Sequence, residues 1–226
     1  MNKMRRFLVT LLLVVLSICV EAQTVRVLPV SASNITDAAA EMLYNRLNQA
    51  VSLNGMASTD NSNKFLLIPT VTVVSIEPTA MFPVRFVAEV EIDLSLVDNS
   101  RRLLISQEIL TKKGVAENEK KAVGEAIKSI KARDSKLKKF IVNGKKEILG
   151  YYNAECNEVV ETIEAYVELG MYDEALNELN AIPQIDAELD CHKRIKDVLS
   201  GISEEQQAKS NDNIKNETPD VSWINQ

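Results

Sequence analysis

The stretch that decides the fold is VRFVAEVEIDLSL, residues 84–96. Apolar side chains occupy every second position, and polar or charged side chains stand between them everywhere except at Val87. This period of two is typical of a β-strand that has one buried face and one solvated face. The pattern therefore predicts an antiparallel sheet with Glu89, Glu91 and Asp93 on its solvated side.

The segments on both sides of this strand have a similar character. Residues 65–76 are rich in Val, Ile and Thr, which suit a pleated, half-buried surface. A turn at 97–100 leads into a third strand over 102–112. We expect Leu103, Ile105 and Ile109 on the inward side of that strand.

Further elements flank the three strands. Residues 24–30 predict a short strand, and helical spacing runs from Asp37 to a stop at Asn54-Gly55. Helical spacing returns over 115–142. The predicted fold class is α+β, a two-layer β-α-β-β-β-α domain with a mostly antiparallel sheet over residues 23–147.

The N-terminus has the three parts of a secretory signal. Basic residues precede an apolar run from Phe7 to Val20, and Ala22 offers a small residue to signal peptidase. The run is about 14 residues long, whereas a membrane-spanning helix needs roughly 20. We predict a signal peptide over 1–22 that is cleaved before Gln23, which leaves a periplasmic or secreted chain. The alternative is an outer-membrane lipoprotein attached through Cys19.

The order of elements in an exported chain, with a helix opening after Lys113-Gly114, resembles the small envelope domains of the curli-secretion-channel and penicillin-binding-protein-activator class. The resemblance covers residues 24–142. It implies a binding role without catalysis.

Residues 148–202 predict a second, helical module. Tyr166 stands in a first helix, Gly170 at a tight turn and Tyr172 after it, while Ala175 permits close helix contact. Residues 152–199 resemble a tetratricopeptide repeat, which implies a helical hairpin that recruits a second protein. A single repeat has to pack on something, because a free-standing array needs three or more.

Two cysteines remain once the signal is removed, Cys156 and Cys191. An oxidising compartment favours a disulfide between them over two free thiols. His192 follows Cys191, but zinc sites and acyl-transfer sites need further groups at recognisable spacing. We therefore predict no catalytic residue, no metal site and no cofactor. Residues 203–226 predict a disordered, solvated tail.

Several exposed groups are candidates for contact with a partner. Apolar side chains stand where a hairpin tip is usually polar, and they are either an exposed contact or part of the core. Lysines crowd one helix surface, which is either a solvated face or a contact to an anionic lipid or glycan surface. The only Trp of the chain is a docking motif or a terminal apolar cluster. The predicted partner-binding residues are Met81, Phe82, Lys120, Lys121, Lys128, Lys131, Tyr166, Tyr172 and Trp223.

These features predict an exported, non-enzymatic protein of the cell envelope that serves as an interaction or scaffold module for another envelope protein. A net charge of −6 and the lack of aromatic residues among the lysines argue against nucleic acid. One alternative is a glycan-acting hydrolase that uses the carboxylates of the solvated sheet face. The other is a structural subunit of an envelope assembly.

Overall fold

The computed structural model describes residues 25–31, 34–56, 63–182, 190–216 and 218–225. The predicted signal peptide and Cys19 lie outside these residues. The elements, in chain order, are β1 (Val25–Val27), α1 (Asp37–Leu53), β2 (Phe65–Pro78), β3 (Phe86–Asp98), β4 (Leu103–Ala116), α2 (Glu119–Lys128), α3 (Ser135–Glu168), α4 (Tyr172–Ala181), α5 (Asp190–Gly201), α6 (Glu204–Asn216) and a 3-10 helix (Ser222–Asn225).

The four strands form one sheet in the order β1-β2-β3-β4. β1 runs parallel to β2, while β2, β3 and β4 are antiparallel. The predicted α+β class and the predicted order of elements are confirmed. No helix in the described parts of the chain combines the length and the apolar character that a membrane span requires.

One face of the sheet, here called the inner face, carries the core. Helices α2 and α3 pack against its strands, and α1 packs beside them. Each aliphatic side chain that is fully buried contributes about 1.5–3 kcal/mol to folding, so the buried side chains of the inner face are a main source of stability. The buried residues of β3 on this face are Ala88, Val90, Ile92, Leu94 and Leu96.

The packing of α2 on β4 depends on a glycine. A Cβ atom on Gly114 would lie 2.2 Å from the carbonyl oxygen of Ala122 and from the backbone nitrogen of Ala126. The backbones of helix and strand thus approach more closely than any side chain would allow. The chain is still in β4 at Gly114, and α2 begins only at Glu119, where Asn118 Oδ1 accepts a hydrogen bond from the Lys121 N–H.

The predicted inward side of β4 is wrong at Ile109, which is 47% exposed, while Leu110 is 1% exposed and faces the core. The cause is a bulge. Ser106 pairs with Leu96 but Leu104 pairs with Val97, so Ile105 is an extra residue. One extra residue moves every later side chain to the opposite face. Leu103, before the bulge, pairs with Asp98 and is half-exposed at the end of the sheet.

The predicted domain boundary after residue 147 falls inside α3. Ile148 and Tyr152 of this helix belong to the same core cluster as the strands. The helix has non-helical backbone angles at Glu155, and beyond that kink it pairs with α4 through a turn at Gly170, whose φ is +73°. The helical hairpin is therefore packed directly on the α+β domain.

The prediction of a disordered tail from residue 203 also differs from the structure. Residues 204–216 form α6, which packs on α4 and buries Ile214. The Ser210 hydroxyl donates a hydrogen bond to Asp173 of α4. A segment with so few apolar residues lacks the periodicity that signals a helix, and its position depends on these contacts with α4.

Candidate interaction surface

The loop between β2 and β3 forms an exposed apolar tip. The Thr79 N–H donates to the Arg85 carbonyl oxygen at 2.7 Å, and the Arg85 N–H donates to Thr79 Oγ1 at 3.0 Å. These two bonds close the loop. Met81 is 75% exposed and Phe82 is 98% exposed. The sequence left open whether these two residues are an exposed contact or part of the core. The structure places them in solvent.

A cleft of about 820 Å³ lies between the start of α1, the end of β2 and the start of α2. Its lining includes the apolar Ile35, Val73 and Val123 together with the polar Asp37 and Lys120. The register of β2 and β3 shifts between Val73 and Ser75. Such bulges redirect side chains, and Val74 is half-exposed on the lining of this cleft.

A second cleft, of about 540 Å³, adjoins the first. It is lined by Arg85 next to the tip and by Lys120, Lys121 and Lys128 of α2. Lys120 and Gly124 contribute to both clefts. The tip, the first cleft and the second cleft therefore lie at one end of the sheet, which we call the tip end.

Two of the four predicted partner-binding lysines are paired. Lys121 contacts Glu117, and Lys128 Nζ lies 2.9 Å from Glu125 Oε1. The hydrogen bond from Lys121 is the largest of several effects that lower the pKa of Glu117, and the charge of Arg85 adds to it. The tip end thus carries charges of both signs. Lys120 and Lys131 are exposed.

The carboxylates of the hydrolase alternative lie elsewhere, on the outer face of the sheet, opposite the helices. Glu89 is 3.0 Å from Lys113 Nζ, and Asp93 accepts a hydrogen bond of 2.8 Å from Gln107 Nε2. Glu91 lies between them on β3. The two clefts of the tip end are lined by other residues.

A buried polar cluster joins the sheet to the helical hairpin, and no sequence pattern indicates it. Lys64 forms an ion pair with Glu178, and its ammonium nitrogen lies 5.3–5.8 Å from three aromatic ring centroids, those of Phe65, Tyr151 and Tyr152. The Tyr152 hydroxyl is buried without a hydrogen-bond partner among the described atoms. Burial raises the pKa of Tyr152 well above its ordinary value. A lysine that directly precedes a strand is normally solvated, so spacing alone does not reveal it.

The remaining predicted contact residues are engaged within the chain. Tyr166 and Tyr172 are partly buried against the main core. Trp223 packs against an apolar cluster of the outer face that consists of Leu28, Leu66, Ile68 and Val97. The predicted partner-binding residues that lie at the tip end are Met81, Phe82, Lys120, Lys121 and Lys128.

Cys156 is disulfide-bonded in the structure. The side chain of Cys191 lies outside the described residues, as does that of His192, so the pairing remains a prediction. In the described parts of the chain, no three His, Cys, Asp or Glu side chains gather as a metal site requires.

Comparison with known proteins gives only distant similarities. No family model and no curated protein matches the chain. Among solved structures, PelC from Paraburkholderia phytofirmans, which forms a dodecamer, is 13% identical, with a TM-score of 0.36, and the match covers 55% of this chain and 87% of PelC. A minor lipoprotein from Acinetobacter baumannii is 10% identical, with a TM-score of 0.33 and coverage of 59% and 94%. A DUF330 protein from Xanthomonas campestris is 16% identical, with a TM-score of 0.34 and coverage of 59% and 88%.

Proposed function

We propose that the protein is an exported, non-catalytic interaction module of the cell envelope, and that it binds another envelope protein through the tip end. The observation that carries this proposal is the exposure of Met81 and Phe82 on a closed loop. A preorganised apolar tip loses little conformational entropy on binding, and buried aromatic anchors account for most of the affinity in many interfaces.

The charges around the tip favour a protein over an anionic membrane as the partner. The two clefts are lined by equal numbers of cationic and acidic side chains, which are Arg85, Lys120, Lys121 and Lys128 against Asp37, Glu117, Glu119 and Glu125. A membrane-binding tip would need an excess of basic residues to profit from anionic lipid. A mixed distribution instead suits a polar rim around an apolar centre, which is the usual arrangement of protein interfaces.

The tip alone is too small to hold a partner. Burial of one Met and one Phe side chain contributes about 1.5–3 kcal/mol each. Association costs on the order of 4–15 kcal/mol in lost translational and rotational freedom. The adjoining clefts, which include Lys120 in their lining, must therefore supply part of the interface.

Export is supported by the sequence and by one covalent feature. Residues 1–22 have the composition of a signal peptide. The disulfide at Cys156 suits an oxidising compartment. A scaffold needs a contact surface and no catalytic group. The tip end offers apolar side chains and paired charges for such a contact.

Site-specific photo-crosslinking tests this proposal. A photoreactive amino acid at position 82 is expected to give a discrete adduct in living cells, whereas the same residue at exposed Thr72 on the outer sheet face gives none. Excess wild-type protein should suppress the adduct, and excess Met81→Ser/Phe82→Ser protein should not. Equal adducts from both positions, or equal suppression by both competitors, would contradict the proposal.

A second candidate, a structural subunit of an assembly, is favoured by the edge of the sheet. β4 is 14 residues long, and in the described part of the chain β3 is its only neighbouring strand. Half-exposed Ile109 and Val115 lie along it. A long edge strand is a template for pairing with another chain. Sedimentation at micromolar concentrations would show self-association that Ile109→Lys weakens, and a monomer at all concentrations would exclude this candidate.

A further inference from the structure

A small apolar cluster lies on the outer face of the sheet, apart from the main core. It consists of Leu28, Leu66, Ile68 and Val97, and we call it the outer patch. Hydrogen bonding within the sheet holds it in place, because Leu66 pairs with Val97 and the Leu28 N–H donates to the Leu67 carbonyl oxygen at 2.9 Å. The positions of these residues are therefore set by the sheet and do not depend on the segment that covers them.

The end of the chain covers the outer patch. Residues 218–225, here called the strap, place Val221, Trp223 and Ile224 against it. The Trp223 indole N–H donates to Asn99 Oδ1 at 3.2 Å. Asn99 is positioned for this bond because its own N–H donates to the Lys64 carbonyl oxygen at 2.7 Å.

The strap has a locally formed shape. Asp220 Oδ1 accepts hydrogen bonds from the Ser222 N–H at 3.0 Å and from the Ser222 hydroxyl at 2.7 Å, at the start of the 3-10 helix. These bonds, followed by the charge of Arg102, lower the pKa of Asp220. Arg102 stands at the β3–β4 turn with a φ of 51°, and its charge acts on Asp220 without an ion pair within 4 Å.

We propose that the outer patch, with Asn99 and Arg102, is a docking site for a short peptide segment that has a Trp, an aliphatic residue after it and an acidic residue three positions before it, and that the chain's own strap occupies this site. Three kinds of recognition meet there: apolar contact, a side-chain acceptor for the indole N–H, and the charge of Arg102, which attracts the acidic side chain without direct contact. A segment that satisfies all three is selected over a merely hydrophobic one.

The strap is suited to exchange with such a segment. The contacts that the structure gives between the strap and the rest of the chain are three apolar side chains, one hydrogen bond to Asn99 and the charge of Arg102. Because the strap is tethered, it acts at an effective concentration of about millimolar. A competing segment must therefore bind tightly enough to displace the strap at this concentration. The docking site lies at the β3–β4 turn, while the tip end is at the opposite end of β3, so the two proposals succeed or fail separately.

The lone Trp gives a direct test, since full-length Trp223→Ala protein contains no Trp. A fluorescein-labelled peptide of residues 217–226 is titrated with this variant and with wild-type protein, and anisotropy reports binding. We expect saturable binding to the variant and an apparent affinity at least about tenfold weaker for wild type, whose strap competes. In the unlabelled peptide, the Trp emission should shift to shorter wavelength on binding.

Matched changes establish that the peptide occupies the proposed site. Adding Asn99→Ala or Arg102→Glu to the Trp223→Ala protein should weaken binding several-fold, and a peptide in which Ala replaces the Trp should not bind. Cooperative thermal unfolding by circular dichroism confirms that each variant is folded, and Ile224→Ser serves as a second strap-weakening variant. Equal affinity for wild type and both strap variants, or equal binding of a scrambled peptide, would overturn the proposal.

Discussion

Lys64 at the start of β2 and Glu178 of α4 form an ion pair that is almost completely removed from solvent, with side chains 3% and 12% exposed. The Lys64 ammonium also lies near three aromatic rings. This pair connects the sheet to the helical hairpin, which the sequence predicted to be a separate module. Its position explains why the hairpin and the sheet share one core.

We expect Glu178→Leu alone to lower the free energy of unfolding by about 3–5 kcal/mol, because it removes the carboxylate that balances the charge of a buried ammonium. Lys64→Met/Glu178→Leu should recover most of this loss, since two apolar side chains remove both desolvation costs. Urea denaturation of the three proteins measures the difference. A double variant as unstable as the single one would show that the charges themselves stabilise the fold.

The second prediction concerns Gly114 of β4. Gly114→Ala should destabilise the protein by about 1–3 kcal/mol or more, because the new methyl group meets the backbone of α2 at Ala122 and Ala126. Gly124→Ala is the matched control, since an added Cβ there meets no atom within 4 Å apart from its chain neighbours and the backbone of its own helix. The control lies inside a helix and should gain up to about 1 kcal/mol. Thermal unfolding compares the two, and similar shifts in Tm would contradict the packing argument.

The main layers of the fold were predictable from the sequence because their residues follow simple periods. From Ala88 to Leu96, β3 alternates strictly between buried even-numbered residues and partly exposed odd-numbered residues. α1 was predicted to start at Asp37, and the Thr36 side chain accepts a hydrogen bond from the Ala39 N–H there. In both cases, each residue's environment depends on its immediate neighbours in sequence.

The parts that were not predictable depend on contacts between distant segments. The bulge at Ile105 has no sequence signal, since apolar residues occupy both faces of β4 around it. α6 is held by polar contacts such as the bond from Ser210 to Asp173. At the candidate site, Met81 and Phe82 were noticed as unusual for a tip, but only the structure shows them exposed.

The third prediction concerns pH. The hydrogen bond from Lys112 Nζ, at 2.6 Å, lowers the pKa of Asp134 below its ordinary value of 3.8. A carboxyl whose pKa is lower in the folded state stabilises the fold above its unfolded pKa, and this contribution disappears as pH falls through the folded pKa. We therefore expect the free energy of unfolding of Asp134→Asn to decrease less steeply than that of wild type as the pH falls below about 4. Asp93→Asn is the control. If both variants reduced the pH dependence of stability equally, Asp134 would not be its specific source.

The fourth prediction is the disulfide. We expect peptide mapping without reduction to link Cys156 to Cys191 in the exported protein. Cys156→Ser should lower the free energy of unfolding by roughly 3–4 kcal/mol, because the bond between Cys156 and Cys191 restricts the conformations of the unfolded chain between them. Chemical denaturation with and without reductant measures it. A wild-type protein that loses no stability on reduction would show that the bond is absent or does not constrain the chain.

The fifth prediction separates stability from binding at the tip. Met81→Ser/Phe82→Ser should change the free energy of unfolding by less than about 0.5 kcal/mol, because both side chains are in solvent and contribute nothing to the core. Leu110→Ser, at a buried position of β4, is the control and should destabilise the protein by several kcal/mol. Denaturation curves compare these proteins. Because the tip variant keeps the fold, its failure to compete in the crosslinking experiment can be assigned to the lost contact. A large drop in stability would instead mean that Met81 and Phe82 pack within the folded protein, and the tip could no longer be the binding anchor.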